Sequence, residues 1–157
     1  MDDLQPLALL LEQAERLRDL ALADHQRAQA AAQAAQTQAE QLLAYRRDYE
    51  QRWGEQFCRE GKIELVRCYH GFVERLSQAV EQQRRVAEHA AQLALRAGNS
   101  LREHELRAAS VRKLIARRVQ ELRVHADRRE QKQSDEFAAR AAWSRGDAEA
   151  QAHARAV

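Results

Sequence analysis

The chain has 157 residues, of which 32% are charged and only 5% aromatic, with one proline, so large apolar side chains are too few for a thick globular core. Acids and bases nearly cancel to a net charge of +2, which argues against nucleic acid or a lipid surface as the partner of the whole chain. The longest purely apolar run, residues 7–11, is far short of a bilayer span and lacks the flanks of a signal peptide, so a cytoplasmic protein is expected.

Residues 7–53 contain no glycine or proline, and Thr37 is their only β-branched residue. This predicts one long helix over about residues 4–54, roughly 70 Å at 1.5 Å per residue. Asp3 and Pro6 stand where a cap and a first helical turn belong. Within the helix, Leu10, Ala14, Leu17, Ala21, Asp24, Ala28, Ala31, Ala35, Gln38, Leu42, Tyr45 and Tyr49 alternate in steps of four and three, and ten of the twelve are apolar. That is the pattern of a coiled-coil seam. Gly54 and Gly61, both free to adopt the left-handed conformation that ends a helix, bracket a bend over about residues 55–62. Cys58 and Cys68 fit no zinc spacing and are expected to be unpaired, reduced thiols near this bend.

The helical pattern resumes at Ile63 and persists to about residue 145, roughly 120 Å of helix. Its seam reads Leu65, Tyr69, Phe72, Leu76, Ala79, Gln83, Val86, Ala90, Leu93 and Ala97, then steps by four to Leu101, a stutter, before Ala108, Val111, Ile115, Leu122 and Ala126. Two seams in one chain predict an all-α fold, an antiparallel two-helix coiled-coil hairpin with a longer second helix. One hairpin domain would cover residues 1–145, and residues 146–157 would form a frayed or disordered tail. Pairing about residue 58 sets opposite each other residues whose numbers add to about 116 or 117, so Tyr45 falls level with Phe72 and Leu42 with Leu76. Ala28, Ala31 and Ala35 then meet Val86, Ala87, Ala90 and Ala91, which makes the middle the softest stretch. By about residue 110 the first helix would have run out, leaving Ile115, Val119, Leu122 and Ala126 as an unpartnered stripe among ten basic and five acidic residues in 102–132.

A two-helix hairpin offers no enclosed cavity, and the residues supply no catalytic constellation: no phosphate loop, nucleophile elbow or carboxylate cleft. The six histidines are scattered without ligand spacing, so neither metal nor cofactor is expected. Glu12 with Arg16, Asp48 with Arg52 and Glu81 with Arg85 read as one-turn ion pairs. Tyr45, Tyr49, Trp53, Phe57, Tyr69 and Phe72 gather near the bend, either as core or as anchors for a partner. Binding, not catalysis, is the expected activity.

Three segments carry a family likeness: residues 42–49, from Leu42 to Tyr49 with Tyr45 between; residues 99–103, from Asn99 to Glu103; and residues 131–142, with Ser134, Asp135, Glu136, Phe137 and Ala138 at their centre. They resemble the FliJ family of flagellar export proteins from the N-terminus to about Ala142. The resemblance implies a stalk-like coiled coil that activates a hexameric export ATPase, couples it to the export-gate protein FlhA and binds export chaperones. It also implies a place in the cytoplasm, peripheral to the inner membrane at the flagellar base through partners only. The gate-binding strip would be Gln38, Leu42, Tyr45, Tyr49, Phe72, Leu76, Ala79 and Gln83, with Gln83 where the family pattern leads one to expect histidine. The ATPase-binding set is expected at Arg112, Arg117, Arg118, Arg128, Asp135, Glu136, Phe137 and Arg140. A stalk of a virulence injectisome, or a coiled-coil tether that dimerises through the stripe from Ile115 to Ala126, are the alternatives; nucleic-acid binding by the basic helix is disfavoured by the interspersed acids.

Overall fold

The computed structural model describes residues 4–156 and contains two helices, α1 (Gln5–Glu60) and the longer α2 (Ile63–Arg155), with no strand among the described residues. The Leu4 carbonyl accepts the Ala8 amide at 2.9 Å, which places Pro6 in the first turn, where its missing N–H costs nothing. Asp3, expected to cap this end, lies outside the described residues, as does the side chain of Cys58; Cys68 is an exposed free thiol. The three expected ion pairs form, with Arg16 3.0 Å from Glu12, Arg52 3.3 Å from Asp48 and Arg85 3.8 Å from Glu81.

The bend is shorter than the predicted 55–62. Helix α1 runs through Gly54 to Glu60, and only Gly61 and Lys62 separate it from α2. Gly61, with φ of 65°, is the one positive-φ residue among those described. A Cβ there would touch nothing, so glycine is required by conformation and not by space. Gly54 has the opposite reason: a Cβ on it would come within 2.8 Å of the Tyr69 hydroxyl. The tail differs too, because α2 continues through Gly146 and the alanine-rich segment beyond it to Arg155.

The chain divides into two compact units, one of residues 12–108 and one of residues 1–11 with 109–157. Within the first, α1 and α2 pack antiparallel. Arg46 meets Ser77, His25 lies against Gly98 and Tyr69 against Gly54, pairs whose numbers all add to 123. The predicted register is therefore displaced by about one to two turns, because the reversal sits at 61–62 and not near 58. Tyr49, not Tyr45, is the ring that meets Phe72, with centroids 4.6 Å apart.

The seam is also rotated from its predicted phase. On α1 the positions Ala14, Ala21, Ala28, Ala35, Leu42 and Tyr49 turn inward as expected, but they alternate with Arg18, His25, Ala32, Ala39 and Arg46. The expected Leu17, Asp24, Ala31, Gln38 and Tyr45, each one residue earlier, are exposed. On α2 the inward series is Tyr69, Val73, Leu76, Val80, Gln83, Ala87, Ala90, Ala94, Ala97, Leu101, His104 and Ala108. Val86 and Leu93, expected inside, are 48% and 44% exposed. In this phase the step from Ala97 to Leu101 belongs to a regular four-three alternation, so there is no stutter. The core centres on Ala35, Ala39 and Ala87, with Ala90 packed against them.

In the second unit Leu4, Leu7, Leu11, Val111, Ile115, Arg118, Val119 and Val124 are half-buried. The stripe predicted to lack a partner is therefore partly covered at Ile115 and Val119, while Leu122 and Ala126 remain exposed. Beyond Val124 every described residue of α2 is exposed except the half-buried Ala141.

Candidate functional site

The eight residues of the expected strip occupy one edge of the seam in the 12–108 unit. Leu76 is buried; Leu42, Tyr49, Phe72, Ala79 and Gln83 are half-buried; Gln38 and Tyr45 are exposed, Tyr45 by 53%. Gln83 ties the two helices together, its Nε2 donating to the Gln38 side-chain oxygen at 3.1 Å and to the Ala35 carbonyl at 3.4 Å. Tyr49 stacks on Tyr69 with centroids 5.8 Å apart and planes 11° from parallel, and it touches Tyr45 at 6.4 Å. The strip is thus a flank of the core: its inner members hold the helices together, and Tyr45 and Gln38 form the outward rim.

The rings continue toward the bend. Phe57 lies 5.9 Å from Tyr69 and 5.7 Å from Trp53, and His70 meets the edge of Tyr69. Tyr69 is the centre of this ladder. Sequence periodicity places it inward, but its seat over Gly54 depends on a contact across the turn that periodicity does not encode.

Three polar side chains enter the seam. Arg46 donates to the Ser77 hydroxyl at 3.4 Å and stands 4.0 Å from Glu50. His25 sits where a Cβ on Gly98 would be 3.1 Å from its ring, with Nδ1 buried and making no hydrogen bond, as is also true of Nε of Arg46. Arg18 donates to Asp19 at 2.8 Å. That bond first, then the negative charges of Asp19, Glu15 and Glu105, hold its guanidinium above the usual arginine value, so this seam position stays charged. Across the seam from Tyr45, an open groove of about 700 Å³ is floored by Ala87, Ala91 and Ala94 and walled by Gln26, Gln29, Gln33 and Gln36.

The residues expected to meet an ATPase all lie in the second unit, spread along α2. Arg117 and Arg118 converge on Glu121 at 3.4 and 3.3 Å, so one acid offsets part of that basic cluster. Arg112, Arg128, Glu136 and Arg140 are exposed, and Asp135 accepts a bond from Gln131 at 3.1 Å. Phe137 and Trp143 are 76% and 78% exposed. Among the described residues no three His, Cys, Asp or Glu side chains cluster as metal ligands, and no helix is long and apolar enough to cross a membrane. This arrangement supplies hydrophobic anchors and charge of the kind that binding surfaces use.

Comparison with known families finds one whose model, described as Flagellar FliJ protein, matches residues 3–147. No curated protein and no solved structure matches the chain.

Proposed function

The chain belongs to the FliJ family of flagellar export, and from that premise we propose that it is a non-catalytic, stalk-like activator of the hexameric export ATPase. In this reading it also couples the ATPase to the export-gate protein FlhA and binds export chaperones. It works in the cytoplasm and reaches the inner membrane at the flagellar base through partners alone. The observation that carries the reading is the family match over nearly the whole chain, joined to an aromatic flank whose rim, Tyr45, is open on an otherwise narrow hairpin.

The mechanism follows from symmetry. One asymmetric hairpin bound in a sixfold ring cannot make identical contacts with all six subunits, so it favours different conformations in different subunits. Turnover rises without any catalytic residue on the hairpin. The long exposed stretch of α2 beyond Val124, with Arg128, Arg140 and the rings of Phe137 and Trp143, is the segment available for that contact. The tether reading is weakened because Ile115 and Val119 are already half-buried. The injectisome reading is disfavoured by the flagellar description of the matching family.

The test is co-purification of the full chain with the ATPase hexamer and, separately, with the cytoplasmic domain of FlhA, followed by ATPase assay. Binding to both with a rise in turnover supports the proposal. Binding to neither overturns it.

A further inference from the structure

The seam of the 12–108 unit leaves a second, unused seam beside it. Ala14, Ala21, Ala28, Ala35 and Leu42 recur every seven residues and turn inward. They would belong to the core whichever flanking series accompanied them. In the structure that series is Arg18, His25, Ala32, Ala39 and Arg46, whereas Leu17, Ala31 and Tyr45 stay out with Asp24 and Gln38. The exposed series is the more apolar of the two on α1. The seam there takes in three polar side chains, two of which hold a buried nitrogen with no hydrogen bond. On α2 both series are apolar: Val73, Val80, Ala87 and Ala94 turn inward beside the half-buried Phe72 and Ala79, which leaves Val86 48% and Leu93 44% exposed. The unused phase would bury more apolar surface but would take in Asp24 and Gln38, whereas the observed one takes in Arg18, His25 and Arg46; each packing carries its own polar cost, which is the condition for two packings of similar free energy.

We propose that the hairpin is a two-state device in which α1 and α2 counter-rotate by about 50°, half the angle between successive helical residues, and so exchange one seam for the other. The positions shared by both seams stay in contact throughout. In antiparallel helices the two unused series flank the same side of the seam, so both rolls close one side and open the other. Leu17, Tyr45, Val86 and Leu93 turn in while Arg18, His25 and Arg46 turn out to water. The small side chains of Ala35, Ala39, Ala87 and Ala90 lack the interlocking that would block such a roll. The aromatic flank is presented in the observed state only, so any protein bound to Tyr45 and Phe72 would hold the hairpin there by its differential affinity for the two states.

The experiment uses the full chain carrying Cys58→Ser and Cys68→Ser. Ala39→Cys with Ala87→Cys reports the observed seam, since those alanines share one cluster. Gln38→Cys with Val86→Cys, one residue earlier on each helix, reports the other. In a glutathione redox buffer both pairs are expected to close within one chain. Adding His25→Leu and Arg46→Leu, which favour the observed seam, should slow the Gln38–Val86 pair about tenfold and speed the other; Asp24→Leu should do the reverse. A Gln38–Val86 pair that never closes overturns the proposal, as does one whose rate none of these changes alters. Rates of the two pairs that rise and fall together overturn it as well, because general loosening would produce that. Circular dichroism and sedimentation confirm a helical monomer for each variant, and where a double change costs helicity, His25→Leu alone has the same expected sign.

Discussion

At the scale of single residues, the two glycines near the reversal differ in kind and so in consequence. Gly61 holds a φ of 65° with open space around it, so Gly61→Ala forces a side chain into the left-handed region at about 1 to 2 kcal/mol. Urea denaturation of the variant should show that loss at an unchanged m-value. Gly54 is helical, and helix propensity alone would make Gly54→Ala favourable by about 1 kcal/mol. The Tyr69 hydroxyl, 2.8 Å from the new Cβ on a ring wedged among Tyr49 and Phe57, opposes that gain. A double-mutant cycle should therefore be non-additive, with Gly54→Ala neutral or destabilising alone and stabilising by about 1 kcal/mol beside Tyr69→Phe. An additive cycle would mean that the ring moves aside freely. That Gly61 can end a helix is legible in the sequence because it is local, although Gly54 offers the same stop and α1 runs through it. The role of Gly54 is not, because it is set by a ring fifteen positions further along the chain.

At the scale of elements, both helices and the inward heptad series through Ala14 and Tyr69 could be read from spacing, while the partner series could not. Spacing favours Leu17 and Tyr45 over Arg18 and Arg46 because it scores the whole side chain. A half-buried arginine lays its methylenes along the seam and keeps its charge at the edge, as Arg46 does between Ser77 and Glu50. The error in register has a simpler origin, since moving the reversal by a few residues moves every cross-helix pair with it. The alanine-rich layer has a measurable consequence. Burial of Ala35, Ala39 and Ala87 removes far less apolar surface from water than burial of Leu76 and Val80 with the rings around Tyr69. Native-state hydrogen exchange should therefore show amides of residues 28–39 and 87–94 opening about tenfold or more readily than those of 69–80. Uniform protection along both helices would place the stability in helix propensity instead of in the seam.

At the scale of the whole molecule, the partners remain the proposal's to test, and burial sorts the residues expected to meet them into testable groups. Tyr45 is half open, so Tyr45→Ala should weaken FlhA binding by about 1 to 3 kcal/mol with little change in thermal stability. Leu76 belongs to the same strip but is buried, and Leu76→Ala should cost about 2 to 5 kcal/mol of folding stability together with binding. Equal losses of stability in both variants would return the strip to a purely structural role. The basic segment calls for a different choice of residues. Arg117 and Arg118 already share Glu121, and reversing them would set acids beside that acid at helical spacing, a repulsion of about 0.2 to 0.5 kcal/mol per pair that weakens the helix itself. Arg112→Glu with Arg128→Glu leaves that cluster intact. If α2 meets the ATPase through charge, this double variant should lose most ATPase activation at low ionic strength while FlhA binding is preserved. The difference from the unmodified chain should shrink as salt shortens the Debye length from about 30 Å at 0.01 M to about 8 Å at 0.15 M. Full activation by the double variant at low salt would exclude these two charges, and the contact would then rest on the exposed rings of Phe137 and Trp143.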